Sequence, residues 1–234
     1  MNHKIITYGN LGYVEFLKNF YVNLDRIGIS KNLRIFCLDN ESFNILKDYA
    51  INAEVVRWYS NNSTEKILDY GEEGWDIVME AKLEIIYQSI QDEPFILYSD
   101  ADIFFTKNPM SYLDNLMMEA YNDVLFMLDW NGDACAGFFY ARNSKNCLNL
   151  FKPQNAKEFK DFDQTLINER LRTYPIKHEN LDAKLFSNGP LWRGGVSKWR
   201  PENHYVAHYN AMPNSEKIND MKKYGHWLLD RELS

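Results

Sequence analysis

FILYSDADIFF, residues 95–105, is the stretch on which the reading of this chain turns. An apolar run meets two aspartates two positions apart, Asp100 and Asp102, and then becomes apolar again. Residues i and i+2 of a strand face the same side, so an extended reading sets the two carboxylates one above the other. Adjacent carboxylates repel, and both stay ionised only with positive charge between them. A divalent cation meets that need, because carboxylate oxygens hold Mg²⁺ or Mn²⁺ and leave positions open for phosphate oxygens. Asp-x-Asp is short and also arises by chance in loops. Its place between two apolar strand segments favours a site, since a buried charge pair without compensation is costly.

Upstream of this stretch the pattern alternates. KIITYGN (4–10) reads as a strand and loop, and residues 12–28 carry Val14, Leu17, Phe20, Tyr21 and Leu24 at helical spacing, closed by Gly28. LRIFCLD (33–39) and AEVVRW (53–58) read as strands around a helix at 41–50. That order implies parallel pairing with crossovers. Residues 59–74 are polar and read as a loop, and 75–90 as an amphipathic helix with Ile77, Ala81, Ile85 and Ile86 inward. Asp100 and Asp102 then close the fourth parallel strand, and open α/β sheets bind ligands outside such strand ends.

Downstream, a helix is expected from Met110 to Tyr121, and strands 123–130 and 134–142 flank a hairpin at NGD. Asn143 or Ser144 caps a helix, another helix spans 161–173, and a terminal helix covers NSEKINDMKKYG. No linker, repeat or low-complexity stretch interrupts the chain. One α/β domain over 1–234 is expected, with a nucleotide-binding half at about 1–105 and an acceptor half at about 106–234.

Composition narrows the class. Of 234 residues, 45% are apolar, enough for a sizeable core. A formal charge of −7 argues against a nucleic-acid partner, which favours basic patches. Cys37, Cys135 and Cys147 show no metal-ligand spacing and suit a reducing compartment. The first residues start a strand at once and no apolar run approaches the ~18 residues of a membrane span. A soluble, cytoplasmic protein without an integral membrane segment is the expectation.

LYSDADIFFTKNP resembles the DXD segment of GT-A glycosyltransferases, and the order of further pieces resembles the nucleotide-diphospho-sugar transferase group around glycosyltransferase family 77. Lys82 in MEAKLEII matches a lysine before the DXD, and CAGFFYARNS (135–144) matches a glycine-containing strand after it. FDQTLINERL (162–171), LDAKLFSNG (181–189) and HYNAM (208–212) match the later segments in the family's order. The resemblance runs over about residues 4–230. It implies a GT-A, Rossmann-like fold with a mostly parallel central sheet flanked by helices. It also implies a nucleotide-sugar donor, with UDP the commonest base, and Mn²⁺ or Mg²⁺ held by Asp100, Asp102 and His208.

By the same match, Asp163 and Gln164 face the donor sugar or the reaction centre, though Asp163 also suits a helix cap. Gly137 leaves room for the donor. Lys82 either contacts the diphosphate or is solvated. Thr7, Tyr8 and Gly9 seat the base and ribose, and Ala101 lies against the donor between the two aspartates. Ala136 stands where relatives often have Ser or Asn, and Asp133 is a candidate for that polar role. Family 77 suggests retention of anomeric configuration, whereas inversion needs a carboxylate base, for which Asp129, Asp133 and Asp163 are candidates. Two other classes compete. A haloacid-dehalogenase-like phosphohydrolase also uses Asp-x-Asp, but after its first strand, and a non-catalytic sugar- or nucleotide-binding module would keep the fold without turnover.

Overall fold

The structure is a computed structural model and describes residues 2–58, 68, 72, 75–154, 163–193 and 203–231. Strand β1 (Lys4–Gly9) leads through a 3-10 turn into α1 (Val14–Arg26), which buries Phe16, Leu17, Phe20 and Leu24. Gly28 ends the helix at φ 76, a left-handed conformation that costs glycine little. From there the N–H groups of Gly28 and Ile29 donate back to the carbonyls of Asp25 and Leu24. Next come β2 (Leu33–Cys37), α2 (Asn40–Tyr49) and β3 (Glu54–Arg57). Asp39 caps α2 by accepting the Ser42 N–H at 2.7 Å. The loop expected at 59–74 lies outside the described residues, apart from 68 and 72.

Helix α3 (Trp75–Asp92) buries Ala81, Ile85 and Ile86 as its spacing predicts, with Ile77 half-buried. Strand β4 (Phe95–Ser99) follows, and here the structure departs from the single strand expected over 95–105. The chain turns at Asp100–Asp102 and resumes as β5 (Ile103–Phe105), which belongs to a different sheet. Hydrogen bonding marks where the pairing stops and the turn begins. The Asp100 N–H donates to Gly137 O at 2.8 Å, while the Ile103 N–H folds back onto Asp100 O at 3.3 Å. The two carboxylates are therefore brought together by a turn, not by strand alternation.

The rest of the chain supplies α4 (Met110–Glu119), β6 (Val124–Leu128), β7 (Ala134–Arg142), α5 (Lys145–Leu150) and α6 (Asp163–Thr173). There follow β8 (His178–Asn180), β9 (Phe186–Ser187), α7 (Gly189–Arg193), β10 (Val206–His208), α8 (Asn214–Lys223) and a 3-10 turn at Leu229–Arg231. Ser144 is the cap of α5, accepting the Cys147 N–H.

Among the described residues, seven strands form the main sheet in the order β3-β2-β1-β4-β7-β6-β8. Only β7 runs against the others, since it pairs antiparallel with both β4 and β6 while every other pair is parallel. Successive residues of the central strands enter opposite cores: Ile5 and Leu97 pack with α1, Ile6 and Tyr98 with α3. Burial on both faces is why these strands read as continuous apolar runs. Beyond β4, a small sheet in the order β5-β10-β9 carries His208 at the end of β10, paired with Ile103. No helix among the described residues is long and apolar enough to cross a membrane.

Two features of the sheet place a pocket. Chain order reverses between β1 and β4, which opens a crevice at their C-terminal ends. The pairing of β7 with β6 also slips: Phe126 opposes Phe139, but Met127 opposes Cys135. The residues between, Ala136 to Phe138, bulge out of that ladder, and bulges re-aim backbone beside sites.

Candidate active site

Tyr8, Gly9, Tyr13, Lys82, Asp100–Asp102, Cys135–Gly137, Asp163, Gln164, His208 and Lys217 surround a cavity of about 200 Å³ at that crevice. One donor atom each from Asp100, Asp102 and His208 lies within 4.8 Å of the others. His208 Nε2 stands 3.2 Å from Asp102 Oδ1 and 3.7 Å from Asp100 Oδ2. A Cβ on Gly137 would sit 2.5 Å from both Asp100 Oδ2 and His208 Cε1, so only glycine lets these two side chains converge. Two carboxylate oxygens and one imidazole nitrogen, with that clearance, fit a divalent cation such as Mn²⁺ or Mg²⁺.

Each oxygen of Asp100 has its own environment. Oδ1 accepts the Tyr98 hydroxyl at 2.7 Å and lies 3.4 Å from Lys82 Nζ, which leaves Oδ2 on the His208 side. Asp102 Oδ2 pairs with Lys217 at 2.9 Å. Burial favours the neutral acid of Asp102, but Lys217 and His208 outweigh it and hold the carboxyl well below its usual range. Burial also opposes charge on His208, yet Asp102 raises the imidazole to about 10. The Nδ1 side of that ring lies 3.7 Å from the Cys135 sulfur.

Lys82 is not solvated. It is 4% exposed, 2.7 Å from Asp163 Oδ2, and 4.9 Å from the centre of the Tyr98 ring. Burial opposes its charge, but Asp100 and Asp163 together hold the ammonium above its usual value. Helix α3 therefore carries a buried cation on a face that its spacing reads as apolar.

Gln164 spans two elements. Its Nε2 donates to Asp129 Oδ2 at 2.7 Å, and its Oε1 accepts the Ala136 N–H at 3.2 Å. On the far side, Tyr13 donates its hydroxyl to Asn214 Oδ1 at 3.0 Å. Burial pushes the Tyr13 phenol up to about 12 and the Tyr8 phenol well above its usual value.

Three of the residues singled out in the sequence, Thr7, Asp129 and Asp133, lie away from the pocket wall. Thr7 is fully buried one position before Tyr8, so its side chain enters the opposite core. Asp133 sits in the β6–β7 turn, where it accepts the Asn131 amide at 2.8 Å and lies 3.8 Å from Arg172. Tyr8, Gly9, Lys82, Asp100, Ala101, Asp102, Gly137, Asp163, Gln164 and His208 all line the cavity. Sequence reasoning missed Tyr13, Tyr98 and Lys217. Tyr98 had a signal, because it stands two strand positions before Asp100. Lys217 was not singled out by number, since a lysine on a polar helix reads as solvated.

Residues 28–221 match the family model described as nucleotide-diphospho-sugar transferase. The fold is similar to that of the glycosyltransferase GlyE of Streptococcus pneumoniae TIGR4, at 13% identity and TM-score 0.57 over 96% of this chain. This chain spans 64% of that protein's length. The galactosyltransferase LgtC, in complex with donor and acceptor sugar analogues, aligns at 13% identity and TM-score 0.55 over 96% of this chain and 95% of its own. Mouse xyloside xylosyltransferase 1 aligns at 12% identity and TM-score 0.57 over 91% of this chain and 100% of its own. The shared fold is GT-A. No curated protein matches the chain in sequence.

Proposed function

The chain belongs to the nucleotide-diphospho-sugar transferase family, and from that premise we propose a metal-dependent transfer of a sugar from a nucleotide diphosphate, UDP first among the candidates, to a hydroxyl of a glycan or other acceptor. The observation that carries this reading is the convergence of Asp100, Asp102 and His208 within 4.8 Å, with Gly137 leaving them room. A haloacid-dehalogenase-like phosphohydrolase is not favoured, because the aspartate pair follows the fourth strand of a GT-A sheet.

When bound, Mn²⁺ or Mg²⁺ would act as a Lewis acid that offsets charge on the departing diphosphate. Asp100 Oδ2 and Asp102 would hold it, with His208 Nε2 as an imidazole donor whose proton the cation would displace. Lys82 orients Asp163 and Asp100 from below, and Lys217 adds positive charge on the diphosphate side. Tyr8 offers a ring to the base, and Gly9 and Ala101 keep the crevice open. Binding and orientation of the donor, not a covalent group on the protein, supply most of the acceleration in this reading.

We read the stereochemical outcome as retention. Among the described residues lining the pocket, the carboxylates are Asp100, Asp102 and Asp163, and each has a lysine ammonium within 3.4 Å. Inversion calls for a carboxylate base ready to take the acceptor proton, and these three are committed to cations. We also propose one domain over 1–234, a reading supported by a core in which Leu17, Phe105 and Trp227 pack together. Free thiols at Cys37, Cys135 and Cys147 support the cytoplasm as its compartment.

Thermal unfolding with a panel of nucleotide diphosphates, with and without Mn²⁺, tests the proposal. A ligand that binds the folded state raises Tm. The expected result is a rise with one nucleotide that requires Mn²⁺ and disappears in Asp102→Asn. No rise with any nucleotide sinks the donor-site reading.

A further inference from the structure

Asp129 follows β6 and is 7% exposed. It was one of the carboxylates considered as a base, yet its oxygens are taken. Gln164 Nε2 donates to Oδ2 at 2.7 Å, Trp130 N–H donates to Oδ1 at 2.8 Å, and Asn188 Nδ2 donates to the same Oδ1. An ionised carboxylate only accepts. Its partner amide on Gln164 must therefore turn its NH₂ toward Asp129, and its carbonyl Oε1 falls to the Ala136 N–H at 3.2 Å. Without Asp129 only the Ala136 N–H at 3.2 Å would hold the orientation of an amide whose two ends are nearly isosteric.

We propose that Asp129 is a positioning residue for sugar transfer: it locks the Gln164 amide so that the carbonyl oxygen, not the NH₂, meets the bulged strand at the pocket wall. Both Gln164 and Ala136 line the cavity, and Oε1 keeps a second lone pair beyond its bond to Ala136. Glycosyl transfer develops positive charge on the sugar ring. A carbonyl dipole fixed in advance with its negative end on that wall stabilises the charge with no reorganisation. A flipped amide would set two N–H groups there and oppose it. Asp129 does this without touching a ligand. The inference rests on the transferase reading of the pocket.

The network also specifies its own rescue. In Asp129→Asn, one side of the new amide must present N–H groups either to Gln164 or to Asn188, and each is a donor there. Adding Asn188→Asp supplies an acceptor on that side, so the carbonyl at position 129 can return to Gln164, and only the Trp130 N–H is left without its acceptor. The carboxylate at 188 still accepts the Leu191 N–H, which Asn188 Oδ1 accepts at 3.2 Å.

Donor hydrolysis is measured with Mn²⁺ on wild type, Asp129→Asn and the double variant. The probe is whichever of UDP-glucose, UDP-galactose, UDP-xylose and GDP-mannose the wild type hydrolyses fastest. Calorimetric stoichiometry for the matching nucleoside diphosphate sets the concentration of folded enzyme. The expected result is a kcat about 10- to 100-fold lower in Asp129→Asn, with donor KM within about twofold, and a partial recovery of that loss, at least about threefold, in the double variant. An unchanged kcat in Asp129→Asn overturns the proposal. So does a double variant that binds nucleotide but stays slow. Where the single variant fails to bind, the double variant decides in the same way, and loss of binding in both makes Asp129 a folding residue and overturns the role. A wild type that neither binds nor hydrolyses any donor overturns the transferase reading itself, and this inference with it.

Discussion

At the scale of single residues, the pocket depends on side chains whose neighbours leave them no alternative. Gly137 is one. A methyl group there would lie 2.5 Å from Asp100 Oδ2 and from His208 Cε1, and both sit on well-packed strand ends. Gly137→Ala is expected to weaken Mn²⁺ binding, followed by titration calorimetry in the presence of UDP, by at least about 10-fold. Equal affinity would place the cation elsewhere. Lys82 is another. Lys82→Met strips the cation from two carboxylates that face it inside the fold, and breaking such a buried set costs about 3–5 kcal/mol, read as a shift in the urea midpoint. Burial also pushes the Cys37 and Cys147 thiols up to about 12, because the thiolate is the form that burial penalises. At pH 8 both are therefore neutral in the folded protein, and iodoacetamide is expected to spare them while labelling the urea-unfolded chain; modification of either one before unfolding refutes this.

At the scale of elements, α1 does more than cover the sheet. Asn19 and Asn23, one helical turn apart and fully inside, act as backbone surrogates. Asn23 donates to Phe105 O at 2.8 Å and accepts the Phe105 N–H at 2.7 Å, which closes the free edge of β5 just after the aspartate turn. Asn19 does the same for the segment after α8, donating to His226 O at 3.0 Å and accepting the Leu228 N–H at 2.6 Å. Asn23→Ala leaves one buried donor and one buried acceptor of Phe105 without a partner. Each such group costs about 1–3 kcal/mol, so a large drop in the urea midpoint is expected, whereas a drop below about 1 kcal/mol would mean that water replaces the amide. The order of strands and helices was legible in the chain because burial of one face imposes a period that survives in the sequence. The break at Asp100–Asp102 was not, because a turn inside an apolar run carries no glycine or proline to mark it. The last ladder bond of β4, from the Asp100 N–H to Gly137 O, is made to a strand that lies well downstream.

At the scale of the whole molecule, the site draws on both halves of the chain. Aspartates from the end of β4, an imidazole from β10 and a lysine from α8 meet within a few ångströms. A ligand that bridges these parts should couple them. Mn²⁺ with a nucleoside diphosphate is expected to raise Tm by more than the sum of the two alone, and a chelator is expected to abolish the excess; strictly additive shifts would separate the metal from the donor. The retention reading belongs to this scale too. Proton NMR of the first product formed from an α-linked donor should show the α anomer, and a β product would call for a base that the described pocket does not contain.

The sequence by itself determined the alternating β and α order, the parallel character of the central strands, and the placement of Asp100 and Asp102 at the mouth of the sheet. These follow from local patterns: apolar periodicity, cap residues, and charge at the end of a buried run. Resemblance to the sugar transferases then singled out His208, which its own surroundings in the sequence do not. Tertiary structure alone decided the rest. It divided the two oxygens of Asp100 between Tyr98 with Lys82 on one side and His208 on the other. It buried a lysine of α3 between two carboxylates, drew Lys217 onto Asp102, moved Thr7 and Asp133 off the pocket wall, and turned Asp129 toward Gln164. The physical reason is common to all of these. A periodic pattern states which face of an element is buried, but a contact of 3 Å between distant segments depends on register, bulges and packing, which no single segment contains.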